Sequence, residues 1–290
     1  MRPNELLKVR NEKVAKLLEG VFAGGDSRAL FDALVRLSGM PGPNPNLDLA
    51  RAVGAEIAAA GGGGLALTDE LLAARHPYLV RVGLQALAAR ASDRKDPSGA
   101  MKKLHDAADE IDKAARDAVI AALSEVITAR GDEVVPKLAA FTDGFLHAYV
   151  ALEALTARKA LDAVKDGVEV TARLDEAFAL ADTSSRADER AQGVRLLREG
   201  LPAHVARLAA RFPEARAWLE ERLVVERPES RDVIGAALVA LRRAGLPEAE
   251  AERLVADFEK HSPVRRDAAR VVEGTRKRGR ATSKPRTRYH

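Results

Sequence analysis

Prolines and glycines divide the second half of this sequence into short segments, each with apolar residues at helical spacing. The divisions fall at Gly200-Leu201-Pro202, Phe212-Pro213, Arg227-Pro228, Gly245-Leu246-Pro247 and Ser262-Pro263. Proline is tolerated in the first turn of a helix, because its missing N–H would be unpaired there anyway. The spacing predicts five helices of about 10 to 17 residues joined by tight turns. Such short links make neighbouring helices antiparallel, and helix pairs repeating every 30 to 45 residues or so are typical of solenoids.

The composition favours an all-α fold throughout. Ala, Leu, Glu and Arg are strong helix formers and dominate nearly every segment. Only 4% of the residues are aromatic, so we expect a core of aliphatic side chains and close alanine contacts. The absence of cysteine excludes disulfides, thiolate catalysis and Cys-ligated zinc. The charged start of the chain, without a long apolar run after it, predicts a soluble cytoplasmic protein with no membrane partner.

Local signals in the first two thirds of the chain place further helices and breaks. A helix is expected from Glu5 to about Phe22, and another of roughly seven turns from Leu104 to Ala129. The four glycines 61–64 lack the Lys and Ser or Thr of a phosphate-binding loop and predict a flexible connection, after which Thr68 caps a short helix. Ser185 and Asp188 are spaced like a capping box, although Asp replaces Glu.

A short pattern recurs at the start of several predicted helices: an apolar residue and an arginine, followed by small apolar residues at helical spacing. Pro263-Val264-Arg265-Arg266-Asp267-Ala268 carries it best, and residues 80–87, 115–123 and 230–238 carry weaker versions. These segments resemble the second helix of HEAT repeats, within the armadillo-like group. The resemblance covers residues 67–274 and implies antiparallel helical hairpins stacked into a right-handed superhelix with one curved face for partners. It implies no particular partner.

The charge is distributed unevenly along the chain. Residues 275–290 contain seven basic residues and no acidic one: Arg276, Lys277, Arg278, Arg280, Lys284, Arg286 and Arg288. They leave 40 of the 47 Lys and Arg residues in the rest of the chain, against 43 Asp and Glu residues. The tail has too little apolar surface to offset its ordering entropy, so we expect it to be disordered. Its cations suit contact with nucleic-acid phosphates or another polyanion, and a purely solubilising tail is the alternative.

Few residues in the sequence point to a catalytic or metal-binding site. No two of the six histidines are three or four positions apart, and no known catalytic or nucleotide-binding signature occurs. His105 and Asp109 share one predicted helix face, where a metal or acid–base site competes with ordinary ion pairs made by Lys102, Lys103, Lys113 and Arg116. The ion pairs are favoured, so no catalytic, cofactor-binding or metal-binding residue is predicted. Alkyl-base DNA glycosylases built on HEAT-like scaffolds hold the damaged base with tryptophans and a carboxylate. Trp218 is the only tryptophan, and we expect it to be a core residue.

The sequence therefore predicts a helical cap over residues 1–60, a HEAT-like domain over 67–274 and a basic tail over 275–290. The function expected is that of a non-enzymatic scaffold without a cofactor, which binds a protein or peptide through arginines and acids on segments such as 186–199 and 264–274. The alternative is a nucleic-acid-binding protein whose tail contacts the phosphates of DNA or RNA, and a glycosylase is a more distant third.

Overall fold

The described residues of the chain form helices only. A computed structural model describes residues 3–42, 44–93, 97–109, 112–185 and 187–261, which contain α-helices and short 3₁₀ segments and no β-strand. The α-helices are α1 Pro3–Phe22, α2 Arg28–Leu37, α3 Leu47–Ala59, α4 Gly61–Ala73, α5 Pro77–Asp93, α6 Ser98–Asp106, α7 Lys113–Arg130, α8 Phe145–Leu155, α9 Arg158–Ala163, α10 Gly167–Asp182, α11 Gln192–Arg211, α12 Pro213–Glu221, α13 Pro228–Ala244 and α14 Glu248–Lys260. The predicted all-α class is confirmed.

The helices pack stepwise along the chain. One series of neighbours, which we call the first row, runs α3, α5, α7, α8, α11 and α13, each packed on the next. The remaining helices lie against this row: α4 against α3 and α5, α6 against α5, α10 against α8, α12 against α11, and α14 against α13. Because each helix contacts mainly helices close to it in sequence, the core extends along the row.

The core is aliphatic and falls into two clusters. The smaller cluster collects buried residues from α1 to α5, including Leu34, Ile57 and Tyr78. The larger cluster begins with Leu84 of α5 and continues to Leu254 of α14. The smaller cluster contains residues from both sides of the predicted boundary between 60 and 67, so this boundary does not coincide with a gap in packing.

Glycine allows α3 and α5 to approach closely. A Cβ built on Gly54 of α3 would lie 2.8 Å from the backbone nitrogen of Ala86 and 2.8 Å from the carbonyl carbon of Gln85, both on α5. Real Cβ atoms essentially never make contacts this short. The close contact between α3 and α5 therefore requires a residue without a side chain at position 54.

The glycine run at 61–64 is not the predicted flexible connection, since it forms the first turn of α4. Gly61 has φ +64°, which a residue without Cβ adopts at little cost, and it lets the chain reverse after α3. A Cβ at Gly64 would lie only 1.9 Å from the Ile57 carbonyl oxygen, so α4 packs on α3 through glycine. Thr68 is correspondingly inside α4, where its hydroxyl donates to the Gly64 carbonyl at 2.6 Å, and it is not the predicted cap.

Two other predicted helix boundaries were wrong. The single helix expected from Leu104 to Ala129 is divided, because α6 ends at Asp106 and Asp112 starts α7 by accepting a hydrogen bond from the Ala115 N–H at 3.0 Å. The break expected at residues 200–202 is absent, and Pro202 lies inside α11. The buried apolar stripe of α11 continues on both sides of this proline and outweighs its local cost of about 3 kcal/mol.

Several turn predictions are confirmed. Pro213 and Pro228 begin α12 and α13, and Gly245 ends α13 with φ +99° in the left-handed region. Ser185 and Asp188 form the expected reciprocal pair, since the Ser185 N–H donates to the Asp188 carboxylate at 3.0 Å and the Asp188 N–H to the Ser185 hydroxyl at 3.3 Å. The segment 263–272, the best match to the HEAT pattern, lies outside the described residues.

Candidate functional site

Two histidines and two aspartates from separate elements meet beside α6 and α8. His105 is in the last turn of α6, and Asp109 ends the 3₁₀ turn that follows. Asp143 ends the 3₁₀ segment Val135–Asp143, and His147 lies in the first turn of α8. We call these four residues the histidine–aspartate cluster. Its members form two pairs, each four residues apart, and the packing of α8 near the 107–109 turn brings the two pairs together.

Asp143 is at the centre of the cluster. Its carboxylate oxygens lie 3.0 and 3.1 Å from Nε2 of His105, and Oδ1 lies 2.7 Å from Nδ1 of His147. The two imidazole rings are 4.1 Å apart at their centroids. Ligand atoms of His105, Asp143 and His147 all lie within 4.8 Å of one another, a spacing that allows all three to reach one metal ion.

A carboxylate also faces the outer nitrogen of each ring. Nε2 of His147 is 3.1 Å from Oδ1 of Asp109, although it makes no hydrogen bond of acceptable angle. Nδ1 of His105 is 3.5 Å from Oδ1 of Asp106. Three aspartates thus surround two imidazoles, and every ring nitrogen in the cluster has a carboxylate oxygen as its neighbour.

The surroundings fix the rings in place. His147 is only 7% exposed, and Phe141 presents itself edge-on to His105 at 5.0 Å and to His147 at 6.3 Å. A Cβ on Gly144 would lie 3.1 Å from Nδ1 of His147, so the absent side chain leaves room for the ring. Burial by itself raises the pKa of the Asp143 carboxyl, but hydrogen bonds from His105 and His147 more than offset burial, and this pKa is below its usual value.

The cluster opens onto a cleft of about 350 Å³. His105 and Asp143 are part of its lining, together with Lys102, Lys137 and apolar side chains of Met101 and Phe141. Solvent and small ions therefore reach His105 and Asp143, while His147 is buried.

The sequence analysis found half of this cluster. It paired His105 with Asp109 on one helix face, but the chain leaves the α-helix after Asp106, and Asp109 faces His147 instead. The spacing Asp143-x-x-x-His147 at the start of a helix was the missed local signal. The predicted ion pairs also occur, since Lys113 contacts Asp117 at 2.6 Å and Lys103 contacts Asp69. Ordinary ion pairs and the histidine–aspartate cluster therefore lie side by side near His105.

The other sequence-predicted contact residues are only partly described. The seven tail cations at positions 276–288 and the segment 264–274 lie outside the described residues. In the other segment, 186–199, residue 186 is also outside them, while Arg195 and Glu199 are exposed on α11. No described helix has the length and apolarity needed to cross a bilayer.

A second polar feature crosses the middle of the first row. We call Arg81 of α5, Asp117 of α7, and Tyr149 and Glu153 of α8 the polar strip. Asp117 interacts electrostatically with both Arg81 and Tyr149, and Glu153 interacts with Tyr149. All four side chains are partly exposed. Burial and the Glu153 carboxylate raise the pKa of Tyr149, so this phenol stays neutral.

His204 of α11 lies beneath the strip and is 1% exposed. Its Nδ1 is 2.9 Å from the Thr156 hydroxyl, which itself donates to the Leu152 carbonyl. Thr156 Oγ1 therefore accepts, and His204 carries its proton on Nδ1. Burial, with a further contribution from Arg207, lowers the pKa of His204 from 6.5 to about 3.

We expect this buried histidine to make the fold acid-sensitive. The unfolded chain protonates His204 below its ordinary pKa of 6.5, whereas the folded chain does not until about pH 3, so stability is present above pH 6.5 and declines below it. Between pH 7 and pH 5 the wild type should lose about 2 kcal/mol more unfolding free energy than His204→Gln. Urea unfolding at the two pH values measures the difference. The exposed His261 is the control, and equal pH dependence in His204→Gln and His261→Gln would contradict the prediction.

Comparison with known proteins gave no assignment. No protein-family model matches the sequence, and no curated protein matches it significantly.

Proposed function

We propose that this chain is a non-enzymatic helical-repeat scaffold that binds a protein or peptide partner. The observation that carries the proposal is the first row, in which helices pack stepwise from α3 to α13. Such a row gives an extended surface made of several helices, which suits contact with another chain better than enclosure of a small substrate.

The HEAT resemblance supports the same interpretation. Its described segments, residues 80–87, 115–123 and 230–238, fall on α5, α7 and α13. All three helices belong to the first row, so the recurring sequence pattern coincides with one structural layer. We infer that this layer corresponds to one helix of each repeat and that the superhelix is HEAT-like.

The polar strip is the part of this layer that we assign to partner contact. It presents a guanidinium, two carboxylates and a phenol from three adjacent helices. Arg and Tyr are enriched at interface hot spots, and partly exposed charges favour specificity and association rate. The matching partner segment carries both charge signs, with a base opposite Asp117 or Glu153 and an acid opposite Arg81.

Site-specific photocrosslinking tests this assignment. A benzophenone amino acid at position 117 is expected to give a discrete covalent adduct with a partner from an extract of the cells that express the chain. The control places the same amino acid at position 217, where Ala217 is exposed on α12 outside the first row. No such adduct should form from position 217, and the adduct from position 117 should decrease when Arg81→Glu is added. Equal adducts at both positions, or none at 117, would contradict the proposed surface.

A nucleic-acid-binding function is the second candidate, and the seven cations of residues 275–290 favour it. In that case the affinity for labelled DNA or RNA should fall steeply with salt, with a log–log slope of about −4 to −6 if most of the tail charges engage phosphate. A chain ending at Gly274 should lose this binding and keep the adduct at position 117. Unchanged binding after truncation would remove the tail from the explanation.

A further inference from the structure

We propose that His105, Asp143 and His147 bind one divalent transition-metal ion of the zinc class. The ligand atoms are Nε2 of His105, Nδ1 of His147 and a carboxylate oxygen of Asp143, whose separations from Asp143 are 2.7 to 3.1 Å. Four-coordinate zinc takes His nitrogen and Asp oxygen ligands at about 2.0–2.2 Å, which places neighbouring ligand atoms about 3.3 Å apart. Small side-chain rotations bring the three donors to this spacing.

Neutral imidazoles cannot satisfy the cluster by hydrogen bonding alone. A neutral imidazole has one N–H and one lone pair, so it donates through one nitrogen only. If Nδ1 of His147 donates to Asp143, its Nε2 carries a lone pair, and an Asp109 oxygen lies 3.1 Å from that nitrogen. That contact is repulsive, and Nε2 is a buried nitrogen without a hydrogen bond.

A metal ion resolves this conflict at His147. With the inner nitrogens bound to the metal, Nε2 of His147 carries a proton 3.1 Å from Asp109, whose exposed side chain needs only a small rotation to accept it, and Nδ1–H of His105 faces Asp106 at 3.5 Å. Metal-bound histidines in proteins commonly donate their second N–H to a carboxylate in this way. The positive charge of the ion also offsets the concentration of three aspartates around two imidazoles.

The cleft supplies the entry path and the remaining coordination position. Because His105 and Asp143 line it, an ion from solvent reaches the three donors without opening the core. The described residues supply three ligands, so we assign the fourth position to water. Two nitrogens and one oxygen favour zinc and neighbouring transition metals over Mg²⁺ and Ca²⁺, which require oxygen-rich sites.

Calorimetric titration of the untagged full chain with ZnCl₂ at pH 7.5 tests the site. We expect saturable binding of one equivalent, a visible absorption band when Co²⁺ replaces Zn²⁺, and no competition from excess Mg²⁺ or Ca²⁺. His105→Gln and Asp143→Asn should weaken zinc binding by at least about 100-fold, and Asp109→Asn by about 10- to 100-fold, because it removes only the support of His147.

Two controls separate loss of ligands from loss of fold. His261→Gln removes an exposed imidazole elsewhere and should bind zinc like the wild type. Helical circular dichroism of each metal-free variant should match that of the wild type, and Asp143→Asn keeps the size of the side chain. Absence of saturable binding would overturn the proposal, as would equal affinity in wild type, His105→Gln and Asp143→Asn.

Discussion

Replacing Gly54 with alanine is expected to lower the free energy of unfolding by about 2 kcal/mol. Alanine is intrinsically better than glycine in a helix by about 1 kcal/mol, so a purely local view predicts stabilisation. The new Cβ, however, would lie 2.8 Å from the backbone of α5 at Gln85 and Ala86. Backbone atoms do not move aside as the end of a flexible side chain does, so the first two helices of the row must separate. Gly54→Val should lower the free energy of unfolding further.

The matched control is the same substitution at Gly20, which is exposed near the end of α1 and has nothing within 4 Å of its built Cβ. Gly20→Ala should raise the free energy of unfolding by up to about 1 kcal/mol. Urea unfolding followed by fluorescence of the only tryptophan measures both changes. Opposite signs at the two positions support the close α3–α5 contact, and a neutral or stabilising Gly54→Ala would contradict it.

The helical class was predictable because it depends on local properties. Ala-rich composition, apolar periodicity and prolines at first turns act within one or two turns of chain, and Pro213, Pro228 and Gly245 mark their boundaries as expected. The failures occur where tertiary contact decides. The glycines at 61–64 become helical because α4 packs on α3 through Gly64, and Pro202 stays inside α11 because the apolar stripe on both sides is buried.

The histidine–aspartate cluster could be predicted only in part for the same reason. His105 and Asp109 were recognised as neighbours, but their geometry depended on where α6 ends, and the prediction extended that helix too far. His147 lies 38 residues beyond Asp109, and periodicity carries no information about which helix ends meet. The Asp143–His147 spacing was readable locally, because Asp143 lies just before α8 and its side chain reaches forward to the first turn of that helix.

Trp218→Ala is expected to lower the free energy of unfolding by about 3–5 kcal/mol, since it removes the largest side chain of α12 from the core. Trp218 is 5% exposed, and Phe178 meets its ring edge-on at 5.2 Å. Its Nε1–H donates to Asp175 at 2.8 Å, and the guanidinium of Arg222 lies 4.2 Å from the ring centroid while also contacting Asp175. The indole therefore joins α10, α12 and the turn after α12.

Trp218→Phe distinguishes packing from the polar contact. It keeps an aromatic ring beside Phe178 and Arg222 but leaves Asp175 without the indole donor, so we expect a loss of about 1–2 kcal/mol. Circular dichroism in urea measures both variants, because they lack the fluorescent indole. A glycosylase role for Trp218 would require its ring to face a base. The packing of Phe178 and Arg222 against the ring and the hydrogen bond to Asp175 both oppose that arrangement. Base release by the wild type that is lost in Trp218→Phe, with stability retained, would reverse this conclusion.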